Sequence, residues 1–362
     1  MSATPEPFFE IALLELQPDT TLTFDLYLRH PGRDPVLFRT QELTFTSAHR
    51  ERLLQAGSTV LLAPIEQRGD YERYREQHAS GGSPDRAERP VSEPPADSLA
   101  DREIDLRVLD RSRPLVHRCL ELIYASDRLL RAVLADLSRP RVKERVHQVA
   151  DTTARLLLRE PEAYVRIVEA LQIDFETYSH SSHTALYSIA LARRSGIDSP
   201  HDLTAIGRAA LLHDVGDSGV HAERWHTGSS FRGSDWQQVE AHVERGAALL
   251  RQHGLDDPLT IEVCLTHHER CDGSGHPRGL TEAQIAPAAR IVMIADVFDA
   301  MTSAYPARAP LSGFQALWKM KYEMAGQFDG RLVDRFVGAM LDASPEPPVA
   351  AKMSAAHPGR VL

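Results

Sequence analysis

The residues of this chain most able to do chemistry are histidines and carboxylates gathered in one stretch. The chain has 17 histidines, and eleven of them fall between His180 and His276. Imidazole and carboxylate side chains ligate catalytic metal ions and act as general acids and bases. We therefore expect the active site in this stretch.

Glu176 and His180 form the first candidate pair, inside a helical pattern that Gly196 stops. Their spacing of four residues places both on one helix face, where they could share a metal ion. A glutamate and a histidine at this spacing are also common on a solvent-exposed helix face. The pair alone leaves both interpretations open.

His213 and Asp214 follow directly after an apolar run that ends in Leu211-Leu212. The run predicts a helix that Ser199-Pro200 begins, and the two polar side chains arrive at its end from the buried side. A buried, ionised aspartate is costly unless it is paired or binds a metal. The pair is either part of a metal site or a structural His–Asp hydrogen bond.

Three later segments can complete such a site. His242 on its own is an ordinary surface histidine and becomes a candidate ligand only together with the others. His267 and His268 stand between an apolar run and a tight loop of glycine and proline, so one helix end could ligate two ions. Asp296 and Asp299 lie three residues apart in an apolar helix, Asp296 as a candidate ligand and Asp299 as a candidate partner that orients a histidine. A helix cap or a salt bridge is the alternative for either aspartate.

Two other kinds of site do not fit the motifs. The HExxH motif of zincin metalloproteases would need a histidine at position 272, where this chain has Asp272. The chain also has no glycine-rich phosphate-binding loop. Metal chemistry on the histidines and aspartates is the hypothesis that remains.

In their order along the chain, these motifs resemble those of the HD-GYP family, the branch of the HD phosphohydrolases that linearises cyclic di-GMP. The resemblance covers roughly residues 140–340. It is carried by Thr177-Tyr178-Ser179-His180-Ser181, His213-Asp214-Val215-Gly216, His242 with Gly246, the stretch from His267 to Gly275, and the stretch from Ala295 to Thr302. Five motifs in the family's order make the resemblance specific.

The resemblance implies an all-α HD-type metal-dependent phosphohydrolase domain. The metal ligands that it implies are Glu176, His180, His213, Asp214, His242, His267, His268 and Asp296. Asp214 would bridge two ions, Glu176 stands where a subset of the family binds a third, and His213 with Asp214 would be the catalytic pair. Imidazole and carboxylate ligands without a thiolate suit iron or manganese, so two or three such divalent ions are the expected cofactors. Paired ions would supply both nucleophile and electrophile for cleavage of a phosphodiester.

The resemblance also implies substrate contacts at four positions, three of which depart from the family. Asp217 replaces the lysine of the HDxGK motif, and Tyr305 stands where the family has a second phosphate-binding cation. His276 replaces the tyrosine of the GYP triplet, while Arg308 retains the family's arginine. Losing one charge-assisted contact to a phosphate costs about 1.5–3 kcal/mol. Slower turnover or another substrate is the expected consequence.

The composition of the chain changes on either side of this domain. We interpret residues 1–77 as a small α+β regulatory or docking module that could bind a protein partner. Residues 78–98 predict a disordered, proline-rich linker, residues 99–342 the all-α domain, and residues 343–362 a disordered tail. In the first module the pattern predicts strands over 21–28, 36–38 and 60–63 and a helix over 47–57.

Composition sets further limits on function. The 362 residues carry a net charge of −10, which argues against a DNA-coating role. Three cysteines are too few for a disulfide framework and favour a reducing compartment. The first ten residues lack a signal-peptide pattern, and no apolar run reaches the roughly 18 residues of a membrane span. We expect a cytoplasmic protein without a membrane or DNA partner, and the oligomeric state stays open.

The favoured hypothesis is a metal-dependent phosphodiesterase that converts cyclic di-GMP to linear pGpG, GMP or both. The substitutions at Asp217 and Tyr305 keep a second hypothesis open, a catalytically weak receptor for a cyclic dinucleotide or an interaction module. A third hypothesis is a phosphohydrolase for another cyclic dinucleotide, such as cyclic GMP-AMP.

Overall fold

The computed structural model describes residues 8–29, 35–39, 44–55, 58–79, 104–138, 141–171, 180–217, 234–303 and 310–343. The described residues divide into two compact units, an N-terminal unit over residues 8–79 and a C-terminal unit over residues 104–343. Most of the predicted linker and tail lies outside the described residues, and both stay predictions.

The N-terminal unit is a small antiparallel sheet with two helices. Its strands are β1 (Phe8–Ala12), β2 (Thr20–Thr21), β3 (Leu26–Leu28), β4 (Val36–Arg39), β5 (Thr44–Phe45) and β6 (Val60–Pro64). Its helices are α1 (Ser47–Gln55) and α2 (Arg68–Ala79). Four strands pair in the order β1-β6-β3-β4, and β2 pairs with β5. The predicted α+β class of this unit is confirmed.

One predicted strand of this unit is wrong. Leu22, Phe24, Leu26 and Leu28 are all buried, as their alternation predicts. The chain bends between β2 and β3, however, so no single strand runs over residues 21–28. The backbone N–H of Asp25 donates to the side chain of Gln67 over 2.7 Å, so a side chain replaces a hydrogen bond of the sheet.

The C-terminal unit is built from helices, which confirms its predicted all-α class. They are α3 (Ile104–Val108), α4 (Leu115–Ala135), α5 (Val142–Arg159), α6 (Ala163–Leu171), α7 (His180–Arg194), α8 (Pro200–Leu212), α9 (Ser234–Gln252), α10 (Pro258–Thr266), α11 (Pro287–Thr302), α12 (Gly313–Trp318) and α13 (Gly330–Ala343). A 3-10 turn follows α8 at Val215–Asp217, and a π-helical turn follows α12 at Lys319–Glu323. Within the described ranges, none of the helices has both the length and the apolar character that a membrane span requires.

Helices α7, α8 and α11 form the centre of this unit. α8 packs against α7, α5 and α10, and α11 packs against α7. α8 begins as predicted, with the Ser199 side chain accepting the N–H of Asp202 and Pro200 in the first turn. α11 is buried from Ile291 to Asp296 because its residues there are almost all apolar. Side chains on these helices therefore meet in the interior.

Candidate metal centre

Five helices bring histidines and aspartates to one place in the C-terminal unit. His180 begins α7, His213 and Asp214 follow α8, His242 lies on α9, His267 and His268 follow α10, and Asp296 lies on α11. Two groups have candidate ligand atoms within 4.8 Å of one another. One group is Asp214, His242, His267 and His268, and the other is His180, His213 and Asp214. The two groups share Asp214, the residue for which the motifs imply a bridging role.

The first group meets around one carboxylate oxygen. Nε2 of His242 and Nε2 of His267 each lie 3.2 Å from Oδ1 of Asp214. The two Nε2 atoms are also 3.2 Å from each other. Two imidazole nitrogens and a carboxylate oxygen thus converge on a common point, as ligands of a shared ion do.

The second group adds the other oxygen of Asp214 and the carboxylate of Asp296. Nε2 of His213 lies 3.4 Å from Oδ2 of Asp214, and Nε2 of His180 lies 3.8 Å from the same atom. Oδ1 of Asp296 is 3.0 Å from Nε2 of His180 and 3.8 Å from Nε2 of His213. The side chains of Asp214 and His180 are 26% and 24% exposed, while those of His213 and His267 are fully buried. Access from solvent is therefore on the side of Asp214 and His180.

Hydrogen bonds on the far sides of the rings show that these residues fit a metal. Nδ1 of His213 donates to the carbonyl of Ala210 over 2.7 Å, and Nδ1 of His267 donates to the carbonyl of Cys264 over 3.0 Å. A neutral ring that donates from Nδ1 presents a lone pair at Nε2. Nε2 of His213 is buried and has no hydrogen-bond partner among the described residues. A nitrogen lone pair and a carboxylate oxygen repel each other, and a cation bound between them replaces this repulsion with attraction to both.

The pKa values of the clustered histidines are shifted in opposite directions by burial and by the neighbouring aspartates. Burial lowers the pKa of His213, but the negative charge of Asp214 outweighs burial and the pKa is raised. Burial lowers the pKa of His267, and it lowers that of His268 well below the usual range. Burial thus favours the neutral form of both rings, which is the form in which imidazole binds a metal.

The carboxylates of the cluster stay ionised. Burial by itself raises the pKa of Asp214, but the charge of His213 and hydrogen bonds from the surrounding histidines outweigh it and hold the pKa well below its usual range. The pKa of Asp296 is lowered in the same way against burial, by the hydrogen bond and charge of His180. A divalent cation would take the place of the protons that His213 and His180 share with these carboxylates, so the two negative charges and the imidazole nitrogens form a donor set suited to such ions.

Glycines allow the helices to approach closely enough for this geometry. A Cβ atom on Gly216 would lie 2.0 Å from the carbonyl oxygen of His242, and one on Gly246 would lie 2.7 Å from Sγ of Cys264. The turn after α8 therefore packs directly against the backbone of α9. This contact places His242 beside Asp214.

Glu269 supports the loop after the tandem histidines, a role that the sequence analysis missed. Its buried carboxylate accepts the backbone N–H groups of Arg278 and Leu280, each over 2.8 Å. The ring of His276, a predicted substrate contact, stacks on His268 with centroids 4.8 Å apart. A carboxylate placed directly between two histidines and a glycine-rich loop is the sequence signal for this role.

Asp299 contacts two histidines of α7. It accepts from Nδ1 of His180 over 2.7 Å and from Nδ1 of His183 over 2.9 Å. Burial by itself raises the pKa of Asp299, but the charges and hydrogen bonds of the two histidines lower it to about 2. The expected contact of Asp299 with a candidate ligand histidine is present, whereas His183 was not predicted.

Some predicted site residues are not located. Glu176, Tyr305 and Arg308 lie outside the described residues, as does the side chain of Asp217. Their roles as third-ion ligand and substrate contacts stay predictions.

Comparison with known proteins identifies the family. The family model of the HD domain matches residues 144–332, which is more than half of the chain. The helical fold and the His/Asp cluster thus define a member of the HD domain family. The predicted resemblance to the HD-GYP branch of that family is confirmed by curated relatives of this chain that are named as cyclic di-GMP phosphodiesterases.

Curated relatives match the C-terminal unit. The cyclic di-GMP phosphodiesterase PA4108 of Pseudomonas aeruginosa is 34% identical over 192 residues, 53% of this chain and 46% of that protein. The 3'3'-cGAMP-specific phosphodiesterase 3 of Vibrio cholerae is 30% identical over 202 residues, 54% of this chain and 43% of that protein. A cyclic di-GMP phosphodiesterase of Thermotoga maritima is 36% identical over 138 residues, 38% of this chain and 37% of that protein. The chain spans less than half the length of each.

A solved structure resembles most of the chain. Bd1817, a HDG"Y"P protein from Bdellovibrio bacteriovorus, aligns with a TM-score of 0.60 over 92% of this chain and 99% of that chain. The two sequences are 17% identical, so this likeness concerns the fold.

Proposed function

We propose that the chain is a metal-dependent phosphodiesterase that hydrolyses cyclic di-GMP to linear pGpG, GMP or both. The observation that carries the proposal is the cluster in which Asp214 is shared by two groups of histidines. Paired divalent ions are the usual means of cleaving a phosphodiester without a protein nucleophile. Relatives named as cyclic di-GMP phosphodiesterases support the choice of substrate.

We assign the ligands to two ions that share Asp214. His180, His213 and Asp296 would hold one ion, and His242, His267 and His268 the other. Glu176 is the proposed ligand of a third ion. Iron or manganese suits this set, and such ions supply charge stabilisation of the phosphate and a nucleophile from water at neutral pH.

The chain's own residues prepare the site. The carbonyls of Ala210 and Cys264 and the carboxylate of Asp299 each accept an Nδ1–H, which keeps Nε2 of His213, His267 and His180 turned inward. Asp214 and Asp296 keep their negative charge and so attract cations. The exposed edges of Asp214 and His180 leave an approach for an anionic substrate once ions balance that charge.

Asp217 and Tyr305 weaken the proposed grip on the substrate phosphates. Asp217 follows Asp214 by three residues in the sequence and has a carboxylate where the family has a lysine. A second candidate is therefore a cyclic-dinucleotide receptor with little turnover. A third, a phosphodiesterase for 3'3'-cGAMP, is favoured by relatives named for that activity.

The proposal extends to the N-terminal unit and to the location of the protein. We assign the N-terminal unit a regulatory or docking role, since the candidate ligands lie in the C-terminal unit. Cys119, Cys264 and Cys271 are buried free thiols, which fits the proposed cytoplasmic location.

The decisive experiment is turnover measured by chromatography. The full chain is purified without oxygen, loaded with Mn²⁺ or Fe²⁺, and incubated with cyclic di-GMP, 3'3'-cGAMP and cyclic di-AMP. We expect linear product from cyclic di-GMP. Tight binding without product would favour the receptor, and product from 3'3'-cGAMP alone would move the substrate assignment.

The variant Asp217→Lys tests whether the missing phosphate contact limits turnover. Restoring the cation should raise turnover of cyclic di-GMP by about one to two orders of magnitude, because a charge-assisted phosphate contact is regained. Asp256→Lys, a matched charge change on an exposed loop residue outside the five motifs, is the control. An unchanged rate in Asp217→Lys would mean that the pocket is built for another substrate.

A further inference from the structure

His183 is a buried histidine one turn along α7 from His180, and the proposed ligand set does not include it. Its side chain is 3% exposed, and its Nδ1 lies 2.9 Å from Oδ1 of Asp299 on α11. An ionised carboxylate only accepts hydrogen bonds, so Nδ1 of His183 is the donor. His183 therefore holds one oxygen of Asp299 in place.

The other oxygen of Asp299 serves His180. Nδ1 of His180 donates to Oδ2 over 2.7 Å, and Oγ of Ser303 donates to the same atom over 3.1 Å. Nδ1 of His180 keeps its proton on Asp299, so Nε2, which lies 3.0 Å from Asp296 and 3.8 Å from Asp214, is the nitrogen at which an ion could replace the proton shared with Asp296. The orientation of Asp299 thus decides which nitrogen of His180 reaches the cluster.

We propose that His183 is a positioning residue of the metal centre, which locks Asp299 so that His180 offers Nε2 to an ion. The inference rests on the proposed function, because it presupposes a metal at the cluster. His183 would touch neither ion nor substrate and would act through Asp299 and His180. Without His183, Oδ1 of Asp299 loses this donor and the carboxylate can rotate about its terminal torsion. His180 then loses its fixed orientation.

A purely structural role is the alternative, in which the bond between His183 and Asp299 only ties α7 to α11. Both side chains are buried, so breaking the bond affects stability under either interpretation. Only the positioning role predicts that metal affinity depends on a donor at the Nδ1 position. Metal affinity and thermal stability must therefore be measured separately.

Three substitutions of His183 in the full chain separate the roles. Asn places its amide nitrogen where Nδ1 lies and keeps the donor to Asp299, Gln places it nearer Nε2, and Leu removes it. The control is Ile189→Ala, because Ile189 is buried on α7 and packs against Gly207 of α8. Metal-stripped proteins are titrated with Mn²⁺ by calorimetry, and their melting temperatures are recorded without metal.

We expect His183→Leu and His183→Gln to bind Mn²⁺ about 10–100-fold more weakly at one site, while His183→Asn restores wild-type affinity. Ile189→Ala should melt earlier and bind Mn²⁺ normally. Unchanged Mn²⁺ affinity in His183→Leu, or equal losses of Mn²⁺ affinity in the Asn and Gln variants, would overturn this inference and leave the proposed function standing. If the leucine variant does not fold, the Asn and Gln pair still decides. A wild-type chain that binds no Mn²⁺ would overturn the proposed function as well.

Discussion

Two of the regions in which the C-terminal unit encloses carboxylates are built in opposite ways. At the end of α5, Glu160 accepts from Nη1 of Arg118 over 2.9 Å and from Nε of Arg111 over 3.2 Å. At the metal centre, Asp214 and Asp296 face histidine nitrogens. Among the described residues, no lysine or arginine forms an ion pair with either aspartate.

The difference separates a structural cluster from a functional one. The charge of Glu160 is balanced within the protein, so this region needs nothing from solution. The charges of Asp214 and Asp296 face histidines, whose protons a bound cation can replace, and such a site is costly to a fold unless ligand binding offsets the cost. Burial of a carboxylate is therefore uninformative by itself, and the identity of its partner decides the interpretation.

The strongest test of this contrast removes His213 and Asp214 together. We expect His213→Ala, Asp214→Ala to lose bound metal and to lose more than the 10–100-fold in activity that supporting residues typically contribute. The chain should stay folded, because the uncompensated charge leaves with the side chain. Metal content by mass spectrometry, turnover and circular dichroism check these outcomes. Full metal content in the variant would remove the ligand assignment.

The matching change in the structural region is Glu160→Ala. It leaves Arg118 buried without its partner, and breaking such a pair costs about 3–5 kcal/mol of unfolding free energy. Urea unfolding should show this loss, while the stoichiometry of bound Mn²⁺ stays that of the wild type. Loss of metal in this variant would break the proposed separation of the two regions.

The stability difference between wild type and Glu160→Ala should also depend on pH. The hydrogen bond from Arg118 lowers the pKa of Glu160 below that of an unfolded chain. The stabilisation is therefore complete above the unfolded pKa and is lost as the pH falls through the folded pKa. The difference in stability between wild type and Glu160→Ala should shrink on acidification.

Metal removal tests the other region. An ion that binds the folded chain alone adds about 2.7 kcal/mol of stability at a concentration 100 times its Kd. A chelator should lower the melting temperature of the wild type and leave that of His213→Ala, Asp214→Ala unchanged. Equal shifts of melting temperature in both proteins would mean that the metal binds outside the cluster around Asp214.

A pair of glycines tests the contact that places His242. Gly216→Ala adds a Cβ 2.0 Å from the carbonyl oxygen of His242, and such overpacking typically costs about 1–3 kcal/mol. We expect weaker Mn²⁺ binding together with this loss of stability, because α9 must shift. Gly338→Ala is the control, since a Cβ there meets no atom within 4 Å and alanine favours the helix by about 0.5–1 kcal/mol. Metal binding equal to wild type in Gly216→Ala would contradict this role for the glycine contact.

Much of the fold could be predicted from local signals. The cap at Ser199, the apolar stripe before His213 and the apolar run of α11 are short-range features, and helices form where they indicate. α2 was missed because, among the side chains that the structure describes in this helix, only Tyr71 and Tyr74 are buried and apolar, and two such residues make a weak helical pattern. The strand over residues 21–28 failed because alternation reports burial, whereas pairing depends on a distant partner such as Gln67.

The sequence by itself determined the ligand types, their spacing and the helix ends that carry them. Spacing places His213 and Asp214 at the end of α8 because helix geometry is local. Only the tertiary structure decided that Asp214 meets His242 and His267, and that His183 meets Asp299 across 116 positions of the chain. These meetings depend on how whole helices pack, and packing is set by shape and contact between distant segments, which no local pattern contains.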